Sequence, residues 1–345
     1  MAGIKYAGGS DYFRLVMPFR HLKDRGFDVS CMSITDLTPD IVAQFDVVVM
    51  PRLESLRPEL IDQDFQSFRV GHCNTVIYEC DDDGFHLDPR LRRSDGTYEL
   101  KSAERQEATR ATIRRCDAVQ VSTPHLREQF FDLNSTIVVL PNMTDPTMWQ
   151  WARRPKDDQV IIGIQGSPSH IFDWRILETV VTVIADRYPQ VIFHVQGYCP
   201  SYLASLPLGD RIKFRGWENP ETFARTLSLA DIGVAPLDDT LFNRSKSPQK
   251  WLDFSSAGIP IVASPTVYTD YIKHGKTGFI ARTEEEWVTF IGLLIENSFK
   301  RKSMGQAARR DVMEHHNVMQ QKCILPWMKF YRREWEKSKA RARAA

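Results

Sequence analysis

Three cations lie close together in the second half of the chain. Arg244 and Lys246 are two residues apart, and Lys250 follows after Ser247 and Pro248. Serine before proline is a typical helix start, with the serine as N-cap and the proline in the first turn. The backbone N–H groups and the dipole of such a start favour an anion. The segment therefore predicts a diphosphate site, and the alternative is an exposed helix start.

An acidic residue follows these cations. Asp253 comes three residues after Lys250, so the two lie on nearly the same face of the predicted helix. Its carboxylate is suited to accept hydrogen bonds from ribose hydroxyls. The alternative is a surface ion pair with Lys250, which would stabilise the protein by well under ~1 kcal/mol.

A glycine-rich turn precedes another predicted helix, within the segment GIQGSPSHIFD. Glycine lets the backbone approach a ligand, and serine hydroxyls add hydrogen-bond donors. We therefore expect Gly166, Ser167 and Ser169 to contact a ligand, and the alternative is an ordinary glycine-rich turn. His170 comes next, either as a donor facing the ligand or as a surface residue at the helix start.

Three successive aspartates, Asp81, Asp82 and Asp83, end an apolar run, and His86 follows. Carboxylates are ligands that magnesium prefers, but adjacent side chains on a strand diverge, so we expect no metal here. The four residues are instead candidate catalytic groups whose side chains can bond hydroxyl groups of a ligand. The alternative is a loop closed by Asx turns.

A basic cluster, Arg90, Arg92 and Arg93, lies a few residues further on. Acidic residues interleave with the arginines that follow, which is typical of a solvated face. The alternative is an acceptor-side surface that binds a lipid phosphate, an acidic glycan or a nucleic acid.

The elements that must position these residues alternate along the chain. Short apolar runs separated by amphipathic stretches indicate βαβ units, with parallel sheets covered by helices on both faces. Ligands of such sheets bind at the carboxyl ends of the strands. The predicted strands are Val47–Met50, Thr75–Tyr78, Ala118–Val121, Ile137–Leu140, Val160–Ile164, Val191–Gln196, Ile212–Phe214, Ile232–Ala235 and Ile259–Ala263. The predicted helices are Phe13–Arg25, Ala103–Arg115, Trp174–Arg187, Pro220–Leu229, Gln249–Ser256 and Glu284–Glu296.

A polar stretch, Trp149–Asp158, interrupts this alternation and predicts a linker. We expect an N-terminal domain over residues 1–150 and a C-terminal domain over residues 151–323. Residues 324–345 carry aromatic side chains at helical spacing, which predicts a helix that packs back on the first domain. The tail Lys337–Ala345 is expected to fray.

The composition of the sequence argues against several classes of protein. The 345 residues carry a net charge of +1, so no overall field favours nucleic acid or membrane. Six cysteines form no CxxC pair, which favours reduced thiols and a cytoplasmic location. No stretch approaches the roughly 18 consecutive apolar residues of a membrane span. Peripheral contact with a membrane stays open.

The segment from Asp231 to Gly258 resembles the nucleotide-sugar site of retaining GT-B glycosyltransferases of the group 1, family 4-like type, especially those that build bacterial surface polysaccharides. The matching residues are Ala235-Pro236, Asn243, Lys246-Ser247, Lys250, Asp253 and Ala257-Gly258-Ile259-Pro260, followed by the turn Tyr271–Ile280 (YIKHGKTGFI). Many members have two glutamates eight residues apart. This chain has Ser245 at the first of these positions and Asp253 at the second.

The resemblance implies an α/β protein of the GT-B type, with two doubly wound Rossmann-like domains that face a central cleft. It implies that a hexosyl group moves from a UDP- or GDP-sugar to a hydroxyl of a glycan, a lipid-linked acceptor or another acceptor. Configuration would be retained, and neither a metal nor another cofactor would be obligatory. The glycine pair near the N-terminus would approach the donor phosphates. The implied donor-binding residues are Gly8, Gly9, Gly166, Ser167, Ser169, Arg244, Lys246, Ser247, Lys250 and Asp253.

Three other functions remain open at this stage. The first is a nucleotide-sugar epimerase of the same type, which needs no separate acceptor. The second is a glycosyltransferase that modifies hydroxylated bases of DNA, although the charge does not favour nucleic acid. The third is an inactive binder of sugar nucleotides, suggested by Ser245 in place of glutamate.

Overall fold

The computed structural model describes residues 1–5, 9–33, 36, 38–51, 75–87, 89–91, 103–149 and 159–344. The chain divides into two compact units. Unit 1 comprises Met1–Met143, Ser245–Ser247 and Val318–Ala345. Unit 2 comprises Thr144–Arg244 and Pro248–Asn317.

The described part of unit 1 contains a parallel sheet with the strand order β2-β1-β3-β4-β5-β6. The strands are β1 (Ala2–Lys5), β2 (Ser30–Ser33), β3 (Val47–Pro51), β4 (Thr75–Cys80), β5 (Ala118–Val121) and β6 (Ile137–Val139). Every residue of β3, β4 and β5 is buried, which is typical of parallel strands covered on both faces. The helices of this unit are Gly9–Asp11, Met17–Lys23, Pro39–Val42, Ala103–Arg115, Pro124–Phe130 and Gln321–Ala344, with a π-helical turn at Tyr12–Val16.

Unit 2 contains a second parallel sheet, with the order β12-β11-β10-β7-β8-β9 in its described residues. The strands are β7 (Val160–Gly166), β8 (Val191–Gly197), β9 (Ile212–Arg215), β10 (Ile232–Ala235), β11 (Ile261–Ala263) and β12 (Phe279–Ile280). The helices are Ile176–Arg187, Ser201–Ala204, Pro220–Leu227, Leu241–Arg244, Gln249–Ser256, Glu284–Glu296 and Ser298–His315. The chain builds outward from β7 to β9 and then returns to place β10 on the other side of β7. The switch point of this sheet therefore lies between β7 and β10, where ligands of doubly wound sheets bind.

A buried arginine joins four parts of unit 1. Arg14 follows β1, and its Nε donates to Glu79 Oε1 on β4 at 2.6 Å. Its Nη1 donates to the Leu140 carbonyl at 2.5 Å and to Asn142 Oδ1 at 2.9 Å. The guanidinium also lies 5.2 Å from the ring centroid of Trp327 on the last helix. Arg14 is fully buried, so it is part of the interior of unit 1.

The last helix, Gln321–Ala344, packs on unit 1 and continues through the tail that we expected to fray. Trp327, Phe330 and Tyr331 are buried in the core of this unit. Further along, Ser338 Oγ donates to the Asp46 carbonyl at 2.8 Å, and Arg341 Nη1 donates to Asp117 Oδ1 at 2.6 Å. The prediction of a frayed tail is wrong, because these polar contacts with the loops that flank the strands hold the final turns.

In unit 2 the backbone at Gly305 lies close to the backbone at Gly258, so a side chain at Gly305 should destabilise the protein. A Cβ atom on Gly305 would lie 2.1 Å from the carbonyl oxygen of Gly258. We expect the Gly305→Ala variant to lose at least about 2 kcal/mol of unfolding free energy, because backbone must move to relieve the overlap. Urea denaturation measures this loss. Ser303→Ala, at an exposed position of the same helix, is the control and should stay within about 0.5 kcal/mol of the wild type. Equal stabilities of the two variants would contradict the packing described here.

Candidate functional site

Two loops of unit 2 meet at the switch point, one after β7 and one after β10. Asp173, from the first loop, is buried and accepts two hydrogen bonds from the second. Its Oδ1 receives Asn243 Nδ2 at 2.6 Å and the backbone N–H of Asp238 at 3.0 Å. Asp173 therefore fixes the loop that leads into the predicted diphosphate segment.

His170 connects this aspartate to a lysine. His170 Nδ1 lies 2.7 Å from Asp173 Oδ2, and Lys250 Nζ lies 2.8 Å from His170 Nε2. The imidazole is only 4% exposed and stacks on Trp174. The interpretation of His170 as a surface residue is therefore wrong. The sequence analysis considered His170 and Lys250 separately and assigned no role to Asp173. The i, i+3 spacing of His170 and Asp173 after a Gly-Ser turn was the available signal for their pairing.

The glycine of the first loop is required by side-chain packing. A Cβ atom on Gly166 would lie 2.8 Å from His170 Cδ2 and 2.8 Å from Trp174 Cζ2. The next two predicted residues, Ser167 and Ser169, bond to each other through their hydroxyls at 2.7 Å. The absence of a side chain at Gly166 therefore leaves room for the His170 ring.

The helix that carries Lys250 has the predicted bounds, but its N-cap lies one residue later than the Ser-Pro pattern indicated. Pro248 occupies the N-cap position and Gln249 is the first helical residue, with no side-chain cap. Ser247 as N-cap is therefore wrong. The Ser247 hydroxyl instead accepts a hydrogen bond from Asn142 Nδ2 at 2.9 Å, within unit 1. Lys250 still lies in the first turn, where the helix dipole favours anions.

Asp253 lies in the interior of unit 2 and is only 3% exposed. Its Oδ1 accepts from Gln249 Nε2 at 2.8 Å, and its Oδ2 accepts from Gln165 Nε2 at 3.2 Å. The surface ion pair with Lys250 is therefore wrong. Burial raises the pKa of Asp253 to about 7, and the two amide hydrogen bonds and the charge of Lys250 oppose that increase. The carboxyl group can thus change its charge near neutral pH.

This raised pKa predicts a pH dependence of stability. The folded protein keeps a proton on Asp253 up to about pH 7, whereas the unfolded chain releases it near the ordinary aspartate pKa of 3.8. The stabilising contribution is complete below the unfolded pKa and is lost as the pH rises through the folded pKa. Asp253→Asn removes this titration, so its unfolding free energy relative to the wild type should increase by up to roughly 4 kcal/mol between pH 4 and pH 8.

Urea denaturation at several pH values measures that difference. Asp210→Asn, at an exposed aspartate of the same unit, is the matched control for the loss of a carboxylate. A flat profile for Asp253→Asn would contradict the buried titration. In that variant Gln165 can turn its amide to meet the new NH₂ group, so the packing is preserved.

Arg244 is paired within its own loop. Its guanidinium donates two hydrogen bonds to Asp239, at 2.6 Å and 2.8 Å, and both side chains are exposed. Asp239 thus engages two of the five N–H donors of this guanidinium.

The segment Ser245–Ser247 groups with unit 1, where it meets the aspartate run. The Ser245 carbonyl accepts from Thr123 Oγ1 at 2.9 Å, and Lys246 Nζ lies 3.3 Å from Asp82 Oδ1. The structure thus brings together Lys246 and Asp82, which the sequence placed in separate motifs.

Asp83 and His86 form a second pair in unit 1. The buried Asp83 accepts the backbone N–H of Phe85 at 3.0 Å through Oδ1, and its Oδ2 lies 2.6 Å from His86 Nδ1. The Asx turn considered as an alternative is therefore present at Asp83. With Nδ1 engaged, Nε2 is the nitrogen through which the partly exposed His86 ring can meet a ligand. The backbone carbonyl of Asp81 accepts a hydrogen bond from Ser122 Oγ at 3.3 Å.

Two of the other predicted site residues, Gly9 and Arg90, lie in the described part of the chain. Gly9 is exposed at a helix start, and a Cβ there would meet no atom within 4 Å. Arg90 is exposed on the short helical turn Pro89–Leu91. Gly8, Arg92 and Arg93 lie outside the described residues.

A cavity of about 500 Å³ opens beside the Asp173 network in unit 2. Its lining includes polar side chains from the loops after β10, β11 and β12, namely Asp238, Asp239, Ser264, Thr266 and Arg282.

Among the described residues, no group of three or more His, Cys, Asp or Glu side chains is arranged to hold a metal ion. Within the same residues, no helix has the length and apolar character to cross a membrane.

Neither a protein-family model nor a curated protein matches the sequence. Solved structures match its fold. Sucrose-phosphate synthase from Thermosynechococcus elongatus is similar with a TM-score of 0.69 at 14% identity, over 97% of this chain and 99% of that protein. HepE from Anabaena, solved with UDP-glucose, has a TM-score of 0.66 at 13% identity, over 96% of this chain and 98% of that protein. The chain has the GT-B fold.

A third GT-B structure matches only part of its own length. TarM from S. aureus, solved as a mutant in complex with fondaparinux, α-GlcNAc-glycerol and UDP, has a TM-score of 0.60 at 14% identity. The match covers 82% of this chain and 54% of TarM, so the chain spans about half of that protein. At these identities the similarity is one of fold, and the chemistry of this GT-B chain depends on its own side chains.

Proposed function

We propose that this protein is a glycosyltransferase that moves a sugar from a nucleoside diphosphate sugar to an acceptor hydroxyl. The observation that supports this best is Lys250, which lies in the first turn of a helix at the switch point and is bonded to the buried His170. Anionic ligands bind at such a helix start. The fold is shared with structures solved with UDP and UDP-glucose.

The donor site in this proposal uses the sequence from Arg244 to Asp253 together with the turn Gly166–Ser169. Lys246, Lys250 and the backbone N–H groups near Ser247 would bond the diphosphate, while the hydroxyls of Ser167 and Ser169 would add donors. Asp253 would hold the ribose through a hydroxyl that bonds Oδ1 beside the Gln249 amide or in its place. The glycine pair at residues 8 and 9 is assigned to the donor by resemblance alone.

The sugar and acceptor hydroxyls in this proposal meet the aspartate run of unit 1. The Asp83–His86 pair fixes the imidazole, and Asp82 already accepts a hydrogen bond from Lys246. A fixed imidazole nitrogen and a carboxylate are suited to bond hydroxyl groups. We assign the acceptor-side surface to Arg90, Arg92 and Arg93, for a glycan or a lipid-linked acceptor.

Catalysis requires that negative charge on the departing diphosphate is neutralised as the glycosidic bond breaks. Two lysines and a helix start supply that positive charge, so we propose a reaction without an obligatory metal. Retention of configuration follows the resemblance to the retaining glycosyltransferases. We also propose a cytoplasmic location, and no disulfide joins the described cysteines.

A thermal-shift screen with UDP, GDP, ADP, CDP and their sugars tests the proposed donor class. One nucleotide family should raise the melting temperature, because a ligand at 100 times its Kd stabilises the folded state by about 2.7 kcal/mol. No shift with any of the nucleotides would contradict the proposal.

Product analysis with the donor so identified tests the chemistry. NMR of the glycosylated product should show a retained anomeric configuration, and turnover should persist in excess EDTA. A strict requirement for magnesium would contradict the metal-free mechanism. Release of an altered free sugar without an acceptor would indicate an epimerase instead.

A further inference from the structure

We infer that His170 and Asp173 are positioning residues that hold the Lys250 ammonium group for the diphosphate of the donor. This inference rests on the proposed function, because it assigns Lys250 to that ligand. It adds two residues that do not themselves contact the substrate.

The groups at the two ends, Lys250 and Asp173, determine the direction of each hydrogen bond that runs from Lys250 through His170 to Asp173. An ammonium group can only donate, so His170 Nε2 must accept from Lys250. The single ring proton of the neutral imidazole then lies on Nδ1, from which it is donated to Asp173 Oδ2.

Asp173 is itself fixed in orientation. Its Oδ1 accepts from Asn243 Nδ2 and from the backbone N–H of Asp238, and both are donors only. Oδ1 must therefore be an acceptor, which leaves Oδ2 to face the histidine. Asp173 thus selects the histidine tautomer that can accept from Lys250.

Burial makes this arrangement rigid. His170 and Asp173 are both buried, the imidazole stacks on Trp174, and the absence of a side chain at Gly166 leaves room for the ring. A lysine side chain loses rotational freedom when a ligand orders it. Holding Lys250 in place before the donor arrives therefore favours binding of the phosphates.

The Asp173→Asn variant tests the tautomer with almost no change of shape. The new side chain must keep its carbonyl oxygen toward Asn243 and Asp238, so its NH₂ group faces His170 Nδ1. The ring proton then has to move to Nε2, where it opposes the Lys250 ammonium group. The same exchange of aspartate for asparagine selects the wrong histidine tautomer in catalytic triads.

Isothermal titration calorimetry of the full chain with UDP and with inorganic pyrophosphate measures the consequence. We expect Lys250→Met and Asp173→Asn each to weaken binding about tenfold or more, since a charge-assisted hydrogen bond is lost or misplaced. The double variant should be no weaker than Lys250→Met alone. His170→Gln should stay within about threefold of the wild type, because its carbonyl can still accept from Lys250.

Imidazole ¹⁵N NMR of the protein without ligand gives an independent readout. The wild type should show His170 protonated at Nδ1, and Asp173→Asn should show it protonated at Nε2. The NMR measurement tests the hydrogen-bond geometry, and the non-additivity of the double variant in calorimetry tests whether this geometry acts through Lys250.

The outcomes separate the two proposals. Loss of affinity in Lys250→Met with wild-type affinity in Asp173→Asn, or additive losses in the double variant, would overturn the positioning role while leaving the function intact. Failure of the wild type to bind UDP and other nucleoside diphosphates would overturn the proposed function. An unchanged tautomer in Asp173→Asn would overturn the positioning role whether or not UDP binds.

Discussion

Replacing Lys246 with alanine is expected to lower turnover by more than about 100-fold, which is the largest effect on activity that we predict. The ammonium group is one of the proposed cations for the diphosphate, and its positive charge would stabilise the transition state as the leaving group acquires charge. The initial rate of nucleoside diphosphate release, measured with saturating donor, tests the prediction.

Three controls separate this effect from a loss of structure. Lys246→Arg keeps the charge and should recover part of the rate. Lys273→Ala removes an exposed lysine that pairs with Asp311, and it should leave turnover unchanged. Asp82→Asn shows whether the loss arises from the carboxylate that Lys246 leaves behind. Turnover of Lys246→Ala within about threefold of the wild type would remove Lys246 from the donor site.

Arg14→Ala is expected to lower the unfolding free energy by about 3–5 kcal/mol, the largest effect on stability that we predict. The substitution leaves Glu79 buried without its 2.6 Å partner, and it removes the bonds to Leu140 and Asn142. Because breaking a buried ion pair by removing one partner is far more costly than removing a surface charge, the effect should exceed that of ordinary truncations. Urea denaturation followed by tryptophan fluorescence measures it.

Arg20→Ala is the matched control, since Arg20 is an exposed arginine on the same helical stretch. Its unfolding free energy should stay within about 0.5 kcal/mol of the wild type. The Arg14→Met, Glu79→Leu double variant should recover part of the loss, because both charges are then absent from the interior. A loss below about 1 kcal/mol in Arg14→Ala would contradict the role of the pair.

Strong periodic patterns predicted the regular elements well. The helices Ala103–Arg115, Gln249–Ser256 and Glu284–Glu296 have the predicted bounds. The helix Ser298–His315 was missed because charged residues interrupt its apolar positions. The strand Phe279–Ile280 was missed because two residues carry no alternation.

The candidate site was only partly accessible from the sequence. Spacing along the chain indicated the cations, but the partners of these side chains come from distant positions. His170 and Lys250 are separated by 80 residues, and Gln165 and Asp253 by 88. Helical spacing placed Asp253 beside Lys250, whereas contact with the end of β7 turns it into the interior. Such contacts arise from tertiary packing, which no local pattern records.

Mass spectrometry of the wild type with the donor that thermal shift identifies shows whether this chain transfers sugar from a nucleoside diphosphate sugar. We predict that nucleoside diphosphate is released together with sugar attached to an acceptor hydroxyl or to water, at a rate at least about 100 times that of Lys246→Ala. If the wild type consumes no donor of the panel, or releases an altered free sugar in place of a glycosylated acceptor, the proposed sugar transfer is contradicted.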